Sequence, residues 1–492
     1  MKSPRDVETL IIMLIFDNGC SRCHTASVHE NSQRSVSNMR SGIVKSMIVM
    51  TTVAMLAVGL AGCGGDSSAS SSDKGRVYFL NHKSEVADQY HQLAKDFTKK
   101  TGIKVDIVTA ATNTLDQTTQ SELAKKDAPT ILSIGMDNFP KFKKYLLPIQ
   151  DTDVYKLLDK NGKEYSMKDG NDSFTFPFAA EYYGIIYNKK IINEYGTKPY
   201  AVVKSVDEIK DYATLKKVIT SIQEHKDDLG LQGAVTTPSV DASDEHRFVS
   251  HMSRIPLFYE YQDSNTTFKP ELKGTYLKNY KDLFDLEVAS SPSNPKTASN
   301  KTYDDCVAEF SQGQVAFFPE GVWAYPLIRN NKVADEDMGM LPYWMGIPGE
   351  EKMGPASVYD ASWAINKKTS KANQEASLKF IKWMVTSEEG KETLSHKMSF
   401  SVPFSAFNDK YQPNNVLTLS ARAYEKQGKP LVRSFNLPST QWGDNLANAL
   451  LEYTQGTKDW DNVEHSYIDG WQKDWKQVKQ TTGALPTATK LH

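Results

Sequence analysis

The chain has 492 residues, of which 39% are hydrophobic and 24% are charged, a composition typical of globular proteins. A single hydrophobic core stops growing at about 250–300 residues, so this length predicts at least two lobes. The formal net charge is −2. This balance argues against nucleic acid as the main partner, because phosphate binding needs a concentrated basic surface.

The segment 39–63 has the pattern of an export signal. It begins with two basic residues, continues with fifteen uncharged and mostly apolar residues at 47–61, and ends with small residues before a cysteine. Such a length fits the apolar core of a signal peptide and falls short of the ~20 residues that span a bilayer as a helix. The ending Leu60-Ala-Gly-Cys63 resembles the lipobox of bacterial lipoproteins. The resemblance implies that 39–62 is a cleaved signal peptide and that Cys63 carries the lipid.

The residues on both sides of this signal support that interpretation. Residues 63–75 are rich in glycine and serine, as in a flexible tether between a membrane and a folded domain. The alternatives are an uncleaved membrane anchor or a buried helix, and the tether disfavours both. Because a signal peptide begins its chain, we expect translation to start at Met39 and residues 1–38 to be an extension that results from the choice of start codon.

The cysteines indicate a core without disulfides. Cys20 and Cys23 precede the export signal and Cys63 would be acylated, so Cys306 is the one cysteine left for the mature domain. A solitary thiol is more often a small buried hydrophobic group than a nucleophile. An exported domain of this size can be stabilised by its hydrophobic core without disulfide bonds.

Strand and helix patterns alternate from the start of the folded part. An apolar strand is predicted at Arg76–Leu80, and Ser84 is a candidate N-cap for a helix with apolar residues at spacings of three and four up to Phe97. Gly102 ends this helix, and alternating residues predict a second strand at Ile103–Ile107. Such a β-α-β unit places its strands in parallel within a helix-covered sheet.

The same alternation continues along the rest of the chain. The predicted elements are strands at Ala128–Ile134 and Gly184–Tyr187, a helix opened by a capping box at Ser205–Glu208 and running to Ile222, a helix after Ser370, a helix with Trp442 to Tyr453 that ends at Gly456, and a helix with Trp460 to Trp475. All eight tryptophans lie at or beyond Trp323, and those of the last two helices are assigned to the core.

Four blocks of sequence carry a family resemblance. They are Phe97-Thr-Lys-Lys-Thr-Gly102-Ile-Lys-Val105, Pro177-Phe-Ala-Ala-Glu181-Tyr-Tyr-Gly184-Ile-Ile-Tyr187-Asn188-Lys189, Phe310-Ser-Gln-Gly313-Gln-Val-Ala316 through Trp323, and Ala364-Ile-Asn-Lys367 through Gly390. Each block alone is weak. Taken in order and behind a lipobox, the four resemble the extracellular solute-binding proteins of carbohydrate ABC transporters, the maltose-binding-protein-like group.

That resemblance implies an α/β fold of two lobes, each a mixed sheet flanked by helices, with the ligand cleft between them. Lobe one would comprise 76–180 and 345–398, and lobe two 184–335 and 399–492, with hinges near Ala180–Tyr183 and Met338–Pro342. The resemblance also implies a monomer without catalytic activity, cofactor or metal, which captures a carbohydrate by lobe closure and delivers it to an ABC permease. Cys63 would anchor this protein to the bacterial cell membrane on its extracytoplasmic side.

A sugar offers hydroxyl groups and flat C–H patches, so its site needs charged or amide groups together with aromatic faces. Glu181, the glutamate of the second block, is the first candidate, and Tyr183 is its companion. Trp323 matches the stacking tryptophan of the third block, and Glu320 stands where relatives often carry an amide. A core position is the alternative for Trp323.

Further candidates follow or precede other predicted strands. Lys83 and Glu85 match a Lys-Pro-Glu turn of close relatives, although serine replaces the proline, and solvated surface charges are the equal alternative. Asp137 loosely matches a ligand-contacting acid of the family. Asp360 and Trp363 precede the strand of the fourth block, where relatives contact sugar. An ordinary core aromatic is the alternative for Trp363.

Two other functions stay open at this point. A secreted glycosidase could use a carboxylate pair such as Glu181 and Glu320, but no nucleophile-elbow, zinc-protease or P-loop motif accompanies it. A binding protein for a non-sugar solute, such as a peptide, a polyamine or iron, is the second alternative. Paired aromatics and acids favour a sugar over an anion and leave a cationic ligand open.

Overall fold

The structure is a computed structural model, and it describes residues 74–110, 114–237, 240 and 247–491. The predicted signal peptide at 39–62, the expected lipid site Cys63 and most of the predicted tether lie outside the described residues. The strands within them are β1 (Val77–Asn81), β2 (Val105–Thr109), β3 (Ile131–Ile134), β4 (Lys168–Asp169), β5 (Asp172–Ser173), β6 (Phe176–Asn188), β7 (Phe317–Gly321), β8 (Met338–Leu341), β9 (Ala356–Ile365) and β10 (Val432–Arg433).

The α-helices complete the set of regular elements. They are α1 (Ala87–Thr101), α2 (Leu115–Leu123), α3 (Phe139–Phe142), α4 (Asp153–Lys156), α5 (Lys160–Tyr165), α6 (Lys189–Gly196), α7 (Tyr212–Glu224), α8 (Arg254–Asp263), α9 (Leu277–Ala289), α10 (Tyr303–Ser311), α11 (Tyr325–Ile328), α12 (Lys371–Thr386), α13 (Glu388–Glu392), α14 (Val416–Lys426), α15 (Thr440–Gln455) and α16 (Trp460–Thr482). Within the described residues, no helix combines the length and the apolar character needed to cross a membrane.

One mixed sheet of eight strands organises the described chain. Its strand order is β2-β1-β3-β9-β6-β7, with β10 paired to β9 and β8 paired to β6. β1 runs parallel to β2 and to β3, which confirms the predicted β-α-β unit, because α1 carries the chain from β1 across to β2. β9 is antiparallel to both β3 and β6, so the sheet is mixed. Among the described residues, β4 and β5 pair with each other and with no other strand, and they form a small hairpin.

The long strand β6 connects two groups of strands. Its first part pairs with β9, with shifts of register between Pro177 and Glu181. Its last part pairs with β7 on one side and with β8 on the other. The predicted strand Gly184–Tyr187 is therefore the end of a thirteen-residue strand. Glu181 and Tyr183 lie at the junction, where the partner of β6 changes.

The buried apolar residues pack in separate clusters on the two sides of this junction. One cluster joins β1, α1 and α12 to the start of β6, and a smaller one covers the opposite face of the same strands. Alternate residues of a strand point to opposite faces, which accounts for the two layers. The end of β6 packs with α6–α9, α15 and α16 on one face and with α10, α11 and α14 on the other. The described chain thus forms two α/β halves that share β6.

Residues near the expected lobe boundaries pack with one half or the other. Met345 and Met353 pack in the cluster of α15 and α16, although 345–398 was assigned to the first lobe. Phe400 packs with α1 and α12, beyond the expected end of that lobe. The expected hinge at Met338–Pro342 coincides with β8, which pairs with the end of β6. The strand β9 that follows brings the chain back to the first half.

Local signals at three helix ends are confirmed. Gly102 ends α1 with a φ of +73°, and Gly456 ends α15 with a φ of +72°. A left-handed φ costs least in glycine, because glycine lacks a Cβ atom. Ser370 caps α12, since its side chain accepts a hydrogen bond from the Asn373 N–H.

Two predicted N-caps are wrong. Ser84 opens a short 3₁₀ turn, and α1 begins three residues later without a side-chain cap. Ser205 likewise precedes a 3₁₀ turn, and Asp211 is the residue that caps α7, where it accepts from the Thr214 N–H. The extended backbone of Ile209 separates that turn from the helix, so the two cannot join into one helix.

Two predictions about the core are confirmed. Cys306 is fully buried in α10, and its thiol lies 3.5 Å from the carbonyl oxygen of Thr237. The tryptophans of the last two helices are all buried; they are Trp442, Trp460, Trp471 and Trp475. The late tryptophans of α15 and α16 therefore serve packing.

Candidate ligand-binding site

A cleft opens beside the junction of β6, where the two halves meet. It encloses about 310 Å³ of space, a volume that includes open solvent. The lining residues are Glu85, Ala179, Ala180, Glu181, Val322, Trp323, Pro326, Met398, Ser399, Phe400 and Asn415. The cleft thus brings together three of the residues that the sequence singled out, namely Glu85, Glu181 and Trp323.

A buried ion pair stands at the base of this cleft. The Lys83 Nζ lies 2.6 Å from Oε1 and 2.8 Å from Oε2 of Glu181, and both residues are buried. Asn81 positions Lys83, since its Oδ1 accepts from the Lys83 N–H at 3.0 Å and its Nδ2 donates to the Lys83 carbonyl at 2.9 Å. A buried carboxylate is costly without a partner, and Lys83 helps to stabilise Glu181 beside the cleft.

Glu85 is the second carboxylate of the cleft and is held less tightly. Its Oε1 lies 3.7 Å from the Lys83 Nζ, and 19% of its side chain is exposed. That separation allows attraction but exceeds the length of a hydrogen bond. The formal charges of Lys83, Glu85 and Glu181 sum to −1.

Trp323 enters the cleft from a 3₁₀ turn that follows β7. A Cβ atom at Gly321 would lie 2.2 Å from the Trp323 ring, so glycine is required for the ring to fold back over the strand. The Arg247 guanidinium lies 5.2 Å from the ring centre, and the His251 ring lies 5.0 Å away. These contacts hold a half-buried indole in place, which a sugar ring needs for stacking.

Glu320 lies behind Trp323 and does not line the cleft. Its side chain is fully buried, and it accepts a hydrogen bond from the Arg247 Nε. Burial raises the pKa of Glu320, while the positive charge of Arg247 opposes that rise. Glu320 thus contacts the cation that packs on Trp323, and its predicted contact with a ligand stays a prediction.

Asp137 also faces an arginine and lies outside the cleft lining. Its Oδ2 lies 2.6 Å from Nη2 of Arg254, and its Oδ1 accepts from the Leu437 N–H at 2.8 Å. Arg254 is 1% exposed, and its Nε donates to the Phe435 carbonyl at 3.1 Å. Asp137 thus connects the loop after β3 to α8 and to the segment before α15.

Trp363 and Tyr183 are buried in the core. Trp363 is 0% exposed, and its ring stacks on Phe178 at 4.5 Å, which matches the core alternative. Tyr183 is buried, and its hydroxyl lies 3.0 Å from Oγ of Ser434. Asp360 lies in β9, three residues before Trp363. Neither Tyr183 nor Trp363 is among the lining residues of the cleft.

Several residues of the site carried no recognisable signal in the sequence. Arg247 and Arg254 pair with acids that are distant along the chain. Ser399 lines the cleft with a φ of +60°, which a non-glycine residue rarely adopts. Asn415 caps α14 and donates from Nδ2 to the Val322 carbonyl at 2.8 Å. Within the described part of the chain, no group of three His, Cys, Asp or Glu side chains could hold a metal ion.

The shared strand, the two cores and the cleft between the halves define a two-lobed α/β solute-binding protein. The chain belongs to the bacterial extracellular solute-binding protein family, whose model matches residues 92–418, more than half of the chain. It is similar to the multiple sugar-binding protein of Streptococcus mutans serotype c, with 23% identity over 358 residues that represent 70% of this chain and 79% of that protein.

Two solved structures share the fold. The GacH receptor of Streptomyces glaucescens, solved unliganded and with acarbose or an acarbose homolog, aligns with a TM-score of 0.63 and 16% identity over 82% of this chain and 98% of its own. The binding protein RafE in complex with raffinose aligns with a TM-score of 0.60 and 16% identity over 81% of this chain and 99% of its own.

The glycosidase alternative is set aside by the family and by the geometry. Members of the family bind solutes. The two carboxylates that such an enzyme would use are not presented as a pair, because Glu181 is held by Lys83 and Glu320 lies behind Trp323, outside the lining. The protein is therefore a binding protein and not an enzyme.

Proposed function

We propose that this protein is a lipid-anchored, extracytoplasmic receptor that captures an oligosaccharide and delivers it to the permease of an ABC transporter. The observation that carries the proposal is the position of Trp323, which lines the same cleft as the carboxylates of Glu85 and Glu181. An aromatic face beside hydrogen-bonding carboxylates is the combination that a sugar requires. The names of the relatives support it, since they describe a multiple sugar-binding protein and complexes with acarbose and raffinose.

Capture would proceed by closure of the two lobes around the sugar. The proposed lobes are 76–180 with 345–398 and 184–335 with 399–492, adjusted at their ends to the packing of Met353 and Phe400. Each lobe supplies part of the cleft, so a ligand that bridges them shifts the equilibrium toward the closed form. The closed monomer would then dock on the permease, while a lipid on Cys63 keeps it at the membrane.

The forces available in the cleft match an ordinary sugar affinity. A dissociation constant of 1 μM corresponds to about −8 kcal/mol. Hydrogen bonds to charged groups contribute roughly 1.5–3 kcal/mol each, and the stacked indole adds apolar burial. A few such contacts can therefore exceed the entropy lost on binding.

A calorimetric screen of the purified protein with raffinose and maltotriose tests this proposal. We expect binding of at least one sugar and a higher melting temperature, because a ligand at 100 times its dissociation constant stabilises the native state by about 2.7 kcal/mol. Chromatography of the same mixtures should show unchanged sugars. Cleavage products would overturn the proposal, and so would the absence of heat and thermal shift with neutral oligosaccharides when a peptide or a polyamine produces both.

A further inference from the structure

The charges around the cleft are not balanced. Its lining contains two carboxylates, those of Glu85 and Glu181, and the other lining residues are uncharged. Lys83 supplies one positive charge to both carboxylates, at 2.6 Å from Glu181 and 3.7 Å from Glu85. The more distant acids Glu320 and Asp137 are each paired with an arginine. Among the described residues, the cleft therefore keeps one uncompensated negative charge.

That charge is located on Glu85 rather than on Glu181. Glu181 receives both short hydrogen bonds of Lys83 and is buried. Glu85 faces the cleft with 19% of its side chain exposed, and among the described residues its ion-pair contact is the longer one to Lys83. An ionised carboxylate can accept about four hydrogen bonds, so Glu85 has acceptor positions left for a donor that enters the cleft.

We propose that Glu85 makes this cleft selective for neutral and amine-bearing saccharides and against saccharides that carry a carboxylate. The inference rests on the proposed function and names the chemical class of its substrate. A ligand ammonium or hydroxyl donates to Glu85, and the ammonium gains a charge-assisted bond. A ligand carboxylate instead meets a like charge in surroundings of lower dielectric than water.

Matched sugars test the selectivity. Raffinose and maltotriose are each compared by calorimetry with two derivatives, in which one terminal CH₂OH carries an amine or is oxidised to a carboxylate. We expect the carboxylate derivative to bind at least about tenfold more weakly than the parent sugar. At an effective dielectric constant of about 20, a modest repulsion between like charges is enough to produce this difference. The amine should bind at least as tightly as the parent. A carboxylate that binds as tightly as the parent overturns the inference.

Glu85→Gln identifies the residue responsible. This variant removes the charge and keeps the shape, so the ratio of carboxylate to amine affinity should rise by about tenfold or more. Asp88→Asn is the matched control, because Asp88 is an exposed acid in the first turn of α1, next to the 3₁₀ turn that carries Glu85 and outside the cleft lining. An unchanged ratio in Glu85→Gln, or an equal change in both variants, overturns the assignment to Glu85. Failure of every sugar, charged or neutral, would instead contradict the proposed function.

Discussion

Asp137 and Arg254 form an ion pair across the two halves of the molecule, with 2.6 Å between Oδ2 and Nη2. Asp137 follows β3 in the first half, whereas Arg254 belongs to α8 in the second. The neighbouring Met136 packs against the large cluster of the second half, and its carbonyl accepts from the Asn436 amide at 3.3 Å. These contacts lie outside the cleft lining, so they can influence lobe closure without touching a ligand.

Asp137→Asn is expected to weaken the apparent sugar affinity by about three- to tenfold. Loss of the charge lowers the population of the closed form, and apparent affinity falls with the fraction of binding-competent protein. Calorimetry with raffinose measures the affinity, and small-angle scattering should show a larger radius of gyration without sugar. Asp153→Asn, at an exposed surface pair, is the control. Equal affinity and equal radius in Asp137→Asn and wild type would show that the pair does not hold the halves together.

Lys83→Met is expected to lower the free energy of unfolding by about 3–5 kcal/mol, because it removes the ammonium group that neutralises the buried carboxylate of Glu181. Glu181→Gln on that background removes the stranded charge and should restore about half of the loss or more. Urea denaturation of the two single variants and the double variant measures the coupling. Strictly additive losses would mean that the two side chains do not stabilise each other.

Trp323→Ala and Trp363→Ala are expected to differ in what they damage. Trp323 lines the cleft, so its removal should reduce sugar affinity at least about tenfold with a smaller effect on stability. Trp363 is fully buried, and its removal should lower the free energy of unfolding by about 3–5 kcal/mol. Calorimetry and urea denaturation separate the two effects. A loss of stability in Trp323→Ala as large as in Trp363→Ala would show that Trp323 is a core residue.

Glu287→Gln is expected to raise the free energy of unfolding at pH 8 and to change it little at pH 5. Glu287 is 1% exposed, its described contact is the Thr237 hydroxyl at 3.4 Å, and burial raises its pKa well above the usual range. The folded protein thus keeps a proton that the unfolded chain releases above about pH 4.3. Stability must therefore fall with rising pH from that value up to the folded pKa, by up to ~1.4 kcal/mol per pH unit.

Urea denaturation between pH 5 and pH 8 measures this dependence in wild type and variant. In Glu287→Gln the free energy of unfolding should fall less steeply with rising pH, since the neutral amide releases no proton on unfolding. Glu224→Gln, at an exposed position of α7, should retain the slope of the wild type. A slope that stays the same in Glu287→Gln would mean that Glu287 is ionised in the folded protein.

The sequence by itself determined the local elements and the class of the protein. Gly102, Ser370 and Gly456 end or begin helices for reasons that lie within a few residues of each, and the apolar spacing of α1 and α16 depends on helical geometry alone. The four blocks and their order indicated a two-lobed binding protein. Glu85, Glu181 and Trp323 were also singled out and now line one cleft.

Only the tertiary structure decided which charges meet and which aromatic rings remain accessible. Lys83 and Glu181 are 98 residues apart, Arg247 and Glu320 are 73 apart, and the strand order of the mixed sheet brings each pair together. The same order buries Trp363 on Phe178, while the room left by Gly321 lets Trp323 reach the cleft. Local sequence cannot distinguish two such tryptophans, because their exposure depends on which distant strands pack beside them.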